Sequence, residues 1–310
     1  MKMDKSRTRN NNYRIVERFI NSDFWLPEHE ECFSDDFTSD MPFAPPGMYQ
    51  HFENRFEYFT FNRWLNRSLK SWKLDALPRI YPTGNPDQFW TIRSGSGEIF
   101  WAGRTGEYRN EYLSFIVLKD GKVSYLKDYC DPLSFYKAID IPIPVFDYDP
   151  PEKAPCVRMP LNGNSQYDEQ TNYRRALAQF SNPIEPLEGD EPVYAYDVVE
   201  TCPYAPLTMP KDFTDEAFDA QTAWMLRDVV EWNANPRPKV FMTPDPDIFI
   251  VETCGYGSTN WSKTPGRYTN REIMLIELET GKVKRFRVYF NPINKFSSIN
   301  MSLPSFPYFF

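Results

Sequence analysis

The sequence is poor in side chains that bind metals. Its 310 residues include two histidines and five cysteines, and the cysteines are scattered with no Cys-x-x-Cys pair. Since a structural zinc site needs about four closely spaced Cys or His ligands, we expect no metal site. Scattered cysteines in odd number are typical of free thiols in a reducing compartment, so the expected location is cytoplasmic.

Long apolar runs and an excess of basic charge are also missing. No run approaches the ~20 residues that cross a bilayer, and no charged-then-apolar leader resembles a signal peptide. The formal net charge of −8 disfavours a nucleic-acid partner, because such proteins usually present a basic patch. Without a Gly-rich phosphate loop or a nucleophile elbow, the sequence predicts no cofactor.

The most informative feature that is present is an internal repeat. Trp64 and Trp224 stand 160 positions apart (224 − 64), and further residues of the two halves keep the same offset. The other pairs include Trp101 with Trp261, Gly106 with Gly266, Gly121 with Gly281, and Pro132 with Pro292. Two copies are too few for a solenoid, which needs about three units, so we predict a pseudo-dimer of two complete domains.

The predicted domains are residues 1–147 and 171–310, joined by a Pro-rich linker over residues 148–170. Apolar spacing predicts a first helix from about residue 12 and a second over about 50–71, with partners from about 172 and over 213–231. Strands are predicted at about 74–81, 88–94, 98–102, 110–118 and 122–130. This order is typical of an α+β fold, with helices on one face of a curved antiparallel sheet.

Glycines mark the expected turns of this sheet. Gly121-Lys122 and Gly281-Lys282 fit tight hairpins between the last two strands of each copy. We interpret Gly95-Ser96-Gly97 and Gly255-Tyr256-Gly257 as further sheet turns.

Several blocks of sequence carry a family resemblance. They are Tyr13-Arg14-Ile15-Val16-Glu17-Arg18-Phe19, Asn85-Pro86-Asp87-Gln88-Phe89-Trp90, Lys127-Asp128-Tyr129-Cys130-Asp131-Pro132 and, in the second copy, Arg287-Val288-Tyr289-Phe290-Asn291-Pro292. In this order, twice, they resemble the phenazine biosynthesis A/B protein family, within the SnoaL-like, nuclear-transport-factor-2-like superfamily. The resemblance implies cone-shaped α+β barrel domains that enclose a pocket and pair as dimers. It also implies condensation of reactive amino-ketone intermediates, with a glutamate as general acid.

Asp128 is the first candidate for that acid. One face of its strand reads Leu126, Asp128, Cys130, whereas the corresponding face in the second copy reads Phe286, Val288, Phe290. Asp128 is therefore a carboxyl at an apolar position, and the resemblance places it where the family has its glutamate. Burial would raise its pKa towards a range useful for proton donation. The alternative is that it faces solvent or pairs with Arg93 or Lys127.

Glu252 is the second candidate, since it shares a strand face with Ile250 and Cys254 and the family carries a glutamate there. The alternative is a carboxylate with a structural role or one at the rim. The family's histidine would fall at Phe61 and Gln221, and neither can act as a base. The predicted substrate pocket, for which core packing is the alternative, comprises Trp64, Trp72, Trp90, Tyr112, Ser114, Cys130 and Trp224.

These observations favour a cofactor-independent enzyme of specialised metabolism. It would use acid catalysis in an aromatic pocket to condense, cyclise, dehydrate or isomerise a reactive carbonyl or imine intermediate. A non-catalytic protein that binds a small molecule or docks a pathway partner is the first alternative. A ring-opening or ring-closing hydrolase is the second, and it would require two carboxylates in one pocket. The expected partner is a small molecule, with further homo-oligomerisation left open.

Overall fold

The computed structural model describes residues 5–21, 27–159, 170, 173–174, 176–177 and 193–307. Contacts divide the chain into two compact units. Unit 1 comprises Met1–Ile143 with Pro304–Phe310, and unit 2 comprises Pro144–Leu303. The predicted limits of the domains and of the 148–170 linker stay predictions, and residues 160–169 lie outside the described residues.

Unit 1 contains helices followed by strands, as the sequence predicts. Its described helices are α1 (Lys5–Asn21), α2 (Arg55–Ser68) and α3 (Pro132–Ala138), with a 3₁₀ turn at Pro27–Cys32. Its described strands are β1 (Phe33–Asp40), β2 (His51–Phe52), β3 (Lys73–Leu74), β4 (Arg79–Pro82), β5 (Gln88–Trp101), β6 (Arg104–Lys119) and β7 (Lys122–Cys130). The second helix is shorter than expected because Asn54 caps its first turn, accepting from the Glu57 amide.

The sheet of unit 1 runs in the order β2-β1-β7-β6-β5-β3, with β4 also on β5. β5, β6 and β7 form an antiparallel meander, whereas β1 pairs with β7 in parallel. β1 was not predicted from the sequence. Because β1 pairs in parallel with β7, the sheet is mixed rather than purely antiparallel. The hairpin at Gly121 is confirmed, since Asp120 and Gly121 both have positive φ, at 51° and 74°.

The prediction of sheet turns at Gly95 and Gly97 is wrong. Both glycines lie inside the continuous strand β5, which spans the two strands predicted at 88–94 and 98–102. Their role is to let the chain before β3 approach closely: a Cβ on Gly95 would lie 2.3 Å from the Trp72 ring. A Cβ on Gly97 would lie 1.7 Å from the Ser71 carbonyl oxygen.

Unit 2 repeats this arrangement. Its described helices are α4 (Asp215–Asp228) and α5 (Pro292–Ser298), with a 3₁₀ turn at Trp261–Lys263. Its described strands are β8 (Arg158–Met159), β9 (Tyr194–Thr201), β10 (Asp212–Thr214), β11 (Val229–Ala234), β12 (Lys239–Met242), β13 (Ile248–Thr259), β14 (Gly266–Glu279) and β15 (Lys282–Phe290). The sheet order is β10-β9-β15-β14-β13-β11, with β12 on β13 and β8 on β9. The helix expected near residue 172 falls largely outside the described residues, and residues 173–174 and 176–177 are helical.

Each unit is completed by a tail that follows the other copy in sequence. In unit 1, the Phe306 ring packs edge-on against Trp101 and Phe135, with centroids 5.6 and 5.8 Å apart. The Tyr136 hydroxyl donates to the Pro304 carbonyl at 2.7 Å. In unit 2, Phe146 occupies the corresponding place, 5.9 Å from Trp261 and 6.1 Å from Phe296. Phe146 and Phe306 are themselves 160 positions apart (306 − 146), so the tails are exchanged between the repeats.

The predicted α+β class is confirmed, with a curved, mainly antiparallel sheet and accompanying helices in each unit. None of the described helices combines the length and the apolar character that crossing a membrane requires.

Candidate functional site

In unit 1, neighbouring strands bring Asp128, Ser114 and Thr91 onto one face of the sheet. Asp128 of β7 lies opposite Ser114 of β6, which lies opposite Thr91 of β5. Directly opposed residues share a face, so this is the face that carries the predicted acid. Tyr112 and Cys130 are opposed to each other on the same face, two residues along.

Asp128 is held in a buried ion pair. Ser114 Oγ donates to Asp128 Oδ1 at 2.5 Å, and Arg93 Nη2 lies 3.6 Å from Asp128 Oδ2. The Arg93 guanidinium also lies 5.0 Å from the centre of the Tyr112 ring. Burial raises the pKa of Asp128, while the Arg93 charge and the Ser114 hydrogen bond oppose that rise. Of the alternatives considered from sequence, the pairing with Arg93 is therefore present.

Three other polar residues on this face of unit 1, Tyr108, Asn110 and Tyr112, are linked by hydrogen bonds. The Tyr108 and Tyr112 hydroxyls are 2.6 Å apart, and Asn110 Nδ2 donates to Tyr108 at 2.9 Å. Burial raises the pKa of the Cys130 thiol well above its ordinary value, which keeps the thiol protonated. Asp131 caps α3, since its side chain accepts a hydrogen bond from the Leu133 amide.

The structure brings together only part of the predicted pocket. Tyr112, Ser114 and Cys130 lie with Asp128, and Trp72 reaches this group through the Tyr112 ring, 6.3 Å away. Trp64 stacks on Trp101 and Trp224 stacks on Trp261, each pair with centroids 5.7 Å apart. Trp90 is opposed to Phe115 and packs on Phe115 and Tyr129, on the other face of the sheet.

Glu252 also lies away from the pocket face of its sheet. It is opposed to Ile273 of β14, which is opposed to Tyr289 of β15. The pocket face carries the intervening residues, such as Val288 at the position of Asp128. Arg271 Nη1 lies 3.2 Å from Glu252 Oε1, so this carboxylate is ion-paired.

A cavity of about 130 Å³ opens on the pocket face of unit 2. Phe218, Phe286 and Phe290 contribute to its apolar wall, and Met225 and Leu226 of α4 also line it. Leu226 is 49% exposed, whereas Phe218 is buried. The polar residues that line it are Glu200, Cys202, Gln221, Thr222, Glu272 and Lys295.

Glu200 is a buried carboxyl in this cavity with a strongly raised pKa. It lies near the end of β9 and is 9% exposed, and its partner is the Cys202 thiol, with Sγ 3.4 Å from Oε1. Burial raises the pKa of Glu200 to about 7, while Cys202 and the Lys295 charge lower it and Glu272 raises it further. Burial also raises the pKa of Glu272. Glu200 can therefore exchange a proton near neutral pH.

Lys295 is the cation of the cavity, and aromatic rings surround it. Its Nζ lies 4.0 Å from the centre of the Trp261 ring, 4.9 Å from Phe290 and 5.4 Å from Trp224. The side chain is 4% exposed. Burial lowers the pKa of Lys295 to about 8, while Glu272, Cys202 and Glu200 act in the opposite direction.

Glu200, Glu272 and Lys295 were missed by the sequence reasoning. The repeat held a usable signal, since Lys295 falls where the first copy has Phe135, and Glu272 where it has Tyr112. Glu200 corresponds to Ser39, because Ser39 pairs with Leu126 in unit 1 and Glu200 with Phe286 in unit 2. Comparing the copies at the constant offset of 160 would have identified Lys295 and Glu272. It sets Glu200 against Asp40 (200 − 160), another acid, so the Glu200 difference is visible only through the strand pairing.

Gln221 stands at the position expected for the family's histidine and lines the cavity. Its Oε1 accepts no hydrogen bond from any residue that the structure describes. Among the described residues, no three His, Cys, Asp or Glu side chains gather in a way that could hold a metal ion.

Comparison with known proteins relates the sequence of this chain to one family. Phenazine biosynthesis protein PhzA1 of Pseudomonas aeruginosa is 34% identical over 82 residues, or 26% of this chain and 50% of that protein. Phenazine biosynthesis protein PhzA of Pseudomonas fluorescens is 28% identical over 82 residues, with the same coverage. The chain thus spans about half the length of the curated relatives it matches.

A crystal structure of a phenazine biosynthesis-related protein, phzb2 of Pseudomonas aeruginosa, aligns with a TM-score of 0.43 and 22% identity, covering 47% of this chain and 96% of that one. The family model for phenazine biosynthesis protein A/B matches residues 4–150 and 208–307, within both repeats. The chain therefore belongs to the phenazine biosynthesis protein A/B family, as two tandem copies.

Proposed function

We propose that this chain is a cofactor-independent biosynthetic enzyme that acts by acid catalysis in the cavity of unit 2. The observation that carries the proposal is Glu200, a buried carboxyl with a pKa of about 7 in a cavity with apolar walls. Its substrate would be a small, reactive carbonyl or imine intermediate of specialised metabolism, and its site of action would be the cytoplasm. The reaction would be a condensation, cyclisation, dehydration or isomerisation.

The cavity supplies what such a reaction needs. At neutral pH about half of the Glu200 carboxyls carry a proton that can pass to a carbonyl oxygen or an imine nitrogen. A positioned acid of this kind contributes roughly 10²–10⁴-fold to a rate. The volume of about 130 Å³ suits a fragment with about one ring, since a cavity of roughly 150 Å³ holds benzene. Phe286 and Phe290 would contact the apolar part of that fragment.

In this proposal Asp128 is a structural carboxylate. Its two oxygens already contact Ser114 and Arg93, and it is 8% exposed. Burial raises its pKa, but the contacts with Ser114 and Arg93 hold the carboxyl in the unit 1 cluster rather than presenting it to a ligand. The family relationship thus supports the reaction class, while the geometry of the described residues favours Glu200 as the acid.

One observation favours a hydrolase as the second candidate. Glu200 and Glu272 both line the same cavity, and the Glu272 charge raises the pKa of Glu200. Two carboxyls of unequal acidity can serve as the acid and base of a water-adding reaction. This pair, rather than Asp128 or Glu252, would then activate the water.

The test is to incubate the purified protein with a filtered metabolite extract of the cells that produce it, in water enriched in ¹⁸O. Consumption is followed by mass spectrometry for wild type, Glu200→Gln and Asp128→Asn. We expect wild type and Asp128→Asn to consume one metabolite, and Glu200→Gln to bind it in native mass spectra with at least ~100-fold slower conversion.

The isotope separates the remaining possibilities. A product that has gained one ¹⁸O-labelled water supports the hydrolase. A metabolite that all three proteins bind and none converts would establish a binding protein and end the enzyme proposal. If only Asp128→Asn lost conversion, the catalytic acid would be Asp128 of unit 1.

A further inference from the structure

Lys295 is a buried cation whose position in the cavity is not explained by an ion pair. No carboxylate oxygen among the described residues lies within 4.0 Å of its Nζ, although Glu200 and Glu272 line the same cavity. The aromatic rings around it provide the compensating contacts, of which Trp261 at 4.0 Å is the shortest. Cation–π contacts are each worth about 0.5–2 kcal/mol, less than the cost of burying an ammonium ion.

The equivalent position in unit 1 shows that the fold does not need this lysine. Phe135 of α3 packs there on Trp101 and Tyr108, with centroids 5.3 and 5.2 Å apart. Lys295 of α5 faces the corresponding residues Trp261 and Tyr268. A phenylalanine thus fills the same aromatic environment in one copy, and a lysine costs free energy in the other.

We propose that Lys295 is a nucleophilic amine that forms an imine with a small aldehyde or ketone bound in the unit 2 cavity, with Glu200 as the acid for its dehydration. The proposal deepens the proposed function, since it names the substrate as a carbonyl compound and adds a covalent intermediate. Burial supports it, because a pKa of about 8 leaves roughly a tenth of Lys295 neutral and nucleophilic at pH 7.

The step balances with groups that the cavity holds. The neutral Lys295 nitrogen attacks the carbonyl carbon, and after proton transfer the adduct is a carbinolamine with one hydroxyl. Glu200 gives its proton to that hydroxyl, which leaves as water while the nitrogen lone pair forms the C=N bond. The product is an iminium ion, and the Glu200 carboxylate and Glu272 stabilise its positive charge. Hydrolysis by the reverse sequence frees the lysine.

The test uses cyclohexanone as the carbonyl probe and cyanoborohydride as the reductant, which fixes an imine as a secondary amine. Peptide mapping then measures the gain of one cyclohexyl group at each lysine. We expect Lys295 to be labelled at pH 7 at least ~10-fold faster than Lys284, which is paired with Asp197 and Glu279. Glu200→Gln should slow the labelling of Lys295 at least ~10-fold without changing that of Lys284.

A second measurement does not depend on any variant. In wild type the labelling rate of Lys295 should pass through a maximum between pH 7 and 8, because the step needs both the neutral amine, whose pKa is about 8, and the protonated Glu200 carboxyl, whose pKa is about 7. The charged and titratable groups that face Lys295 are Glu272 and Tyr268 of β14, Glu200 of β9, and Cys202. Since the pKa of Lys284 is raised by its carboxylates, the labelling of Lys284 should show no such maximum at neutral pH.

Labelling confined to exposed lysines, with Lys295 unmodified, would overturn the proposal. Labelling of Lys295 that is insensitive to Glu200→Gln would remove Glu200 from the step. The matched variant Lys295→Arg keeps a cation that cannot form an imine, so it should lose the adduct at this site. These outcomes are independent of metabolite turnover: imine trapping without turnover leaves Lys295 reactive and ends only the proposed enzyme function.

Discussion

The two repeats share a backbone plan but place opposite kinds of chemistry on the same face of the sheet. Unit 1 carries Asp128, which is ion-paired with Arg93 and accepts a hydrogen bond from Ser114. Unit 2 carries Val288, Thr253 and Met274 at those positions, and its ionisable groups lie elsewhere around a cavity. In a buried ion pair the charges are engaged with each other, whereas groups without close ionic partners remain available for a ligand. Under the proposed function, unit 1 is the structural copy and unit 2 is the reactive one.

The largest expected effect comes from breaking the closed cluster of unit 1. Arg93→Met leaves Asp128 buried without its cation, so we expect the free energy of unfolding to fall by about 3–5 kcal/mol at pH 7. The loss should shrink as the pH is lowered, because protonation of Asp128 removes the unpaired charge. The free energy of unfolding is measured by urea unfolding followed by tryptophan fluorescence.

The control is Thr253→Val, at the position of unit 2 that corresponds to Arg93. It should change stability by less than about 1 kcal/mol, since the Thr253 hydroxyl has no hydrogen-bond partner among the described residues.

A second variant makes unit 2 resemble unit 1. Lys295→Phe removes an ammonium whose pKa is lowered from 10.5 to about 8. Below pH 8 the amine is charged in the folded state, so the full free-energy cost of burying that charge is present in the wild type. Between pH 8 and 10.5 the unfolded state binds the extra proton, and stability of the wild type rises with pH. We expect the variant to be more stable by on the order of 3 kcal/mol at pH 7, with the gain disappearing above pH 10.5. A gain in stability that does not vary with pH would show that the buried Lys295 charge is not its cause.

Glu200→Gln should show the reverse dependence on pH. The pKa of Glu200 is raised from 4.5 to about 7, so the folded state keeps its proton while the unfolded state loses it, and stability falls as pH rises between these values. The variant should therefore be more stable by about 3 kcal/mol at pH 8 and unchanged at pH 4. Thermal unfolding at the two values checks this. Asp197→Asn is the opposite control, because its pairing with Lys284 lowers the pKa of Asp197 and is lost in acid.

The smallest effect is expected for the two acids first considered from sequence. Asp128→Asn and Glu252→Gln should each change conversion of the consumed metabolite by less than about threefold, once the folded fraction is measured. Neither residue is among those that line the unit 2 cavity, and both are ion-paired. A loss of more than ~100-fold in Asp128→Asn would make unit 1 the reactive copy and reverse the comparison.

The sequence predicted the elements whose signal is local and missed those set by distant contacts. Amphipathic spacing located α1 and α2, and the glycine hairpin located β6 and β7. β1 was missed because its segment, Phe33–Asp40, is polar apart from two buried phenylalanines and becomes a strand by parallel pairing with β7. Because β9, the counterpart of β1, was missed in the same way, the sequence analysis also missed Glu200, which lies on β9. Which face Glu252 occupies depends on the register of three strands, which alternation within one strand cannot give.

The exchanged tails also set an order of events during synthesis. Phe146 is made before the strands of unit 2, so its aromatic partners Trp224, Trp261 and Phe296 meet it as they emerge. Phe306, in contrast, is made only after all of unit 2, about 10–30 s after the rest of unit 1 at ordinary rates of translation. Until then Trp101 and Phe135 lack the ring that packs on them. The first copy to be translated is thus the second to be completed, and unit 2 can close while unit 1 is still unfinished.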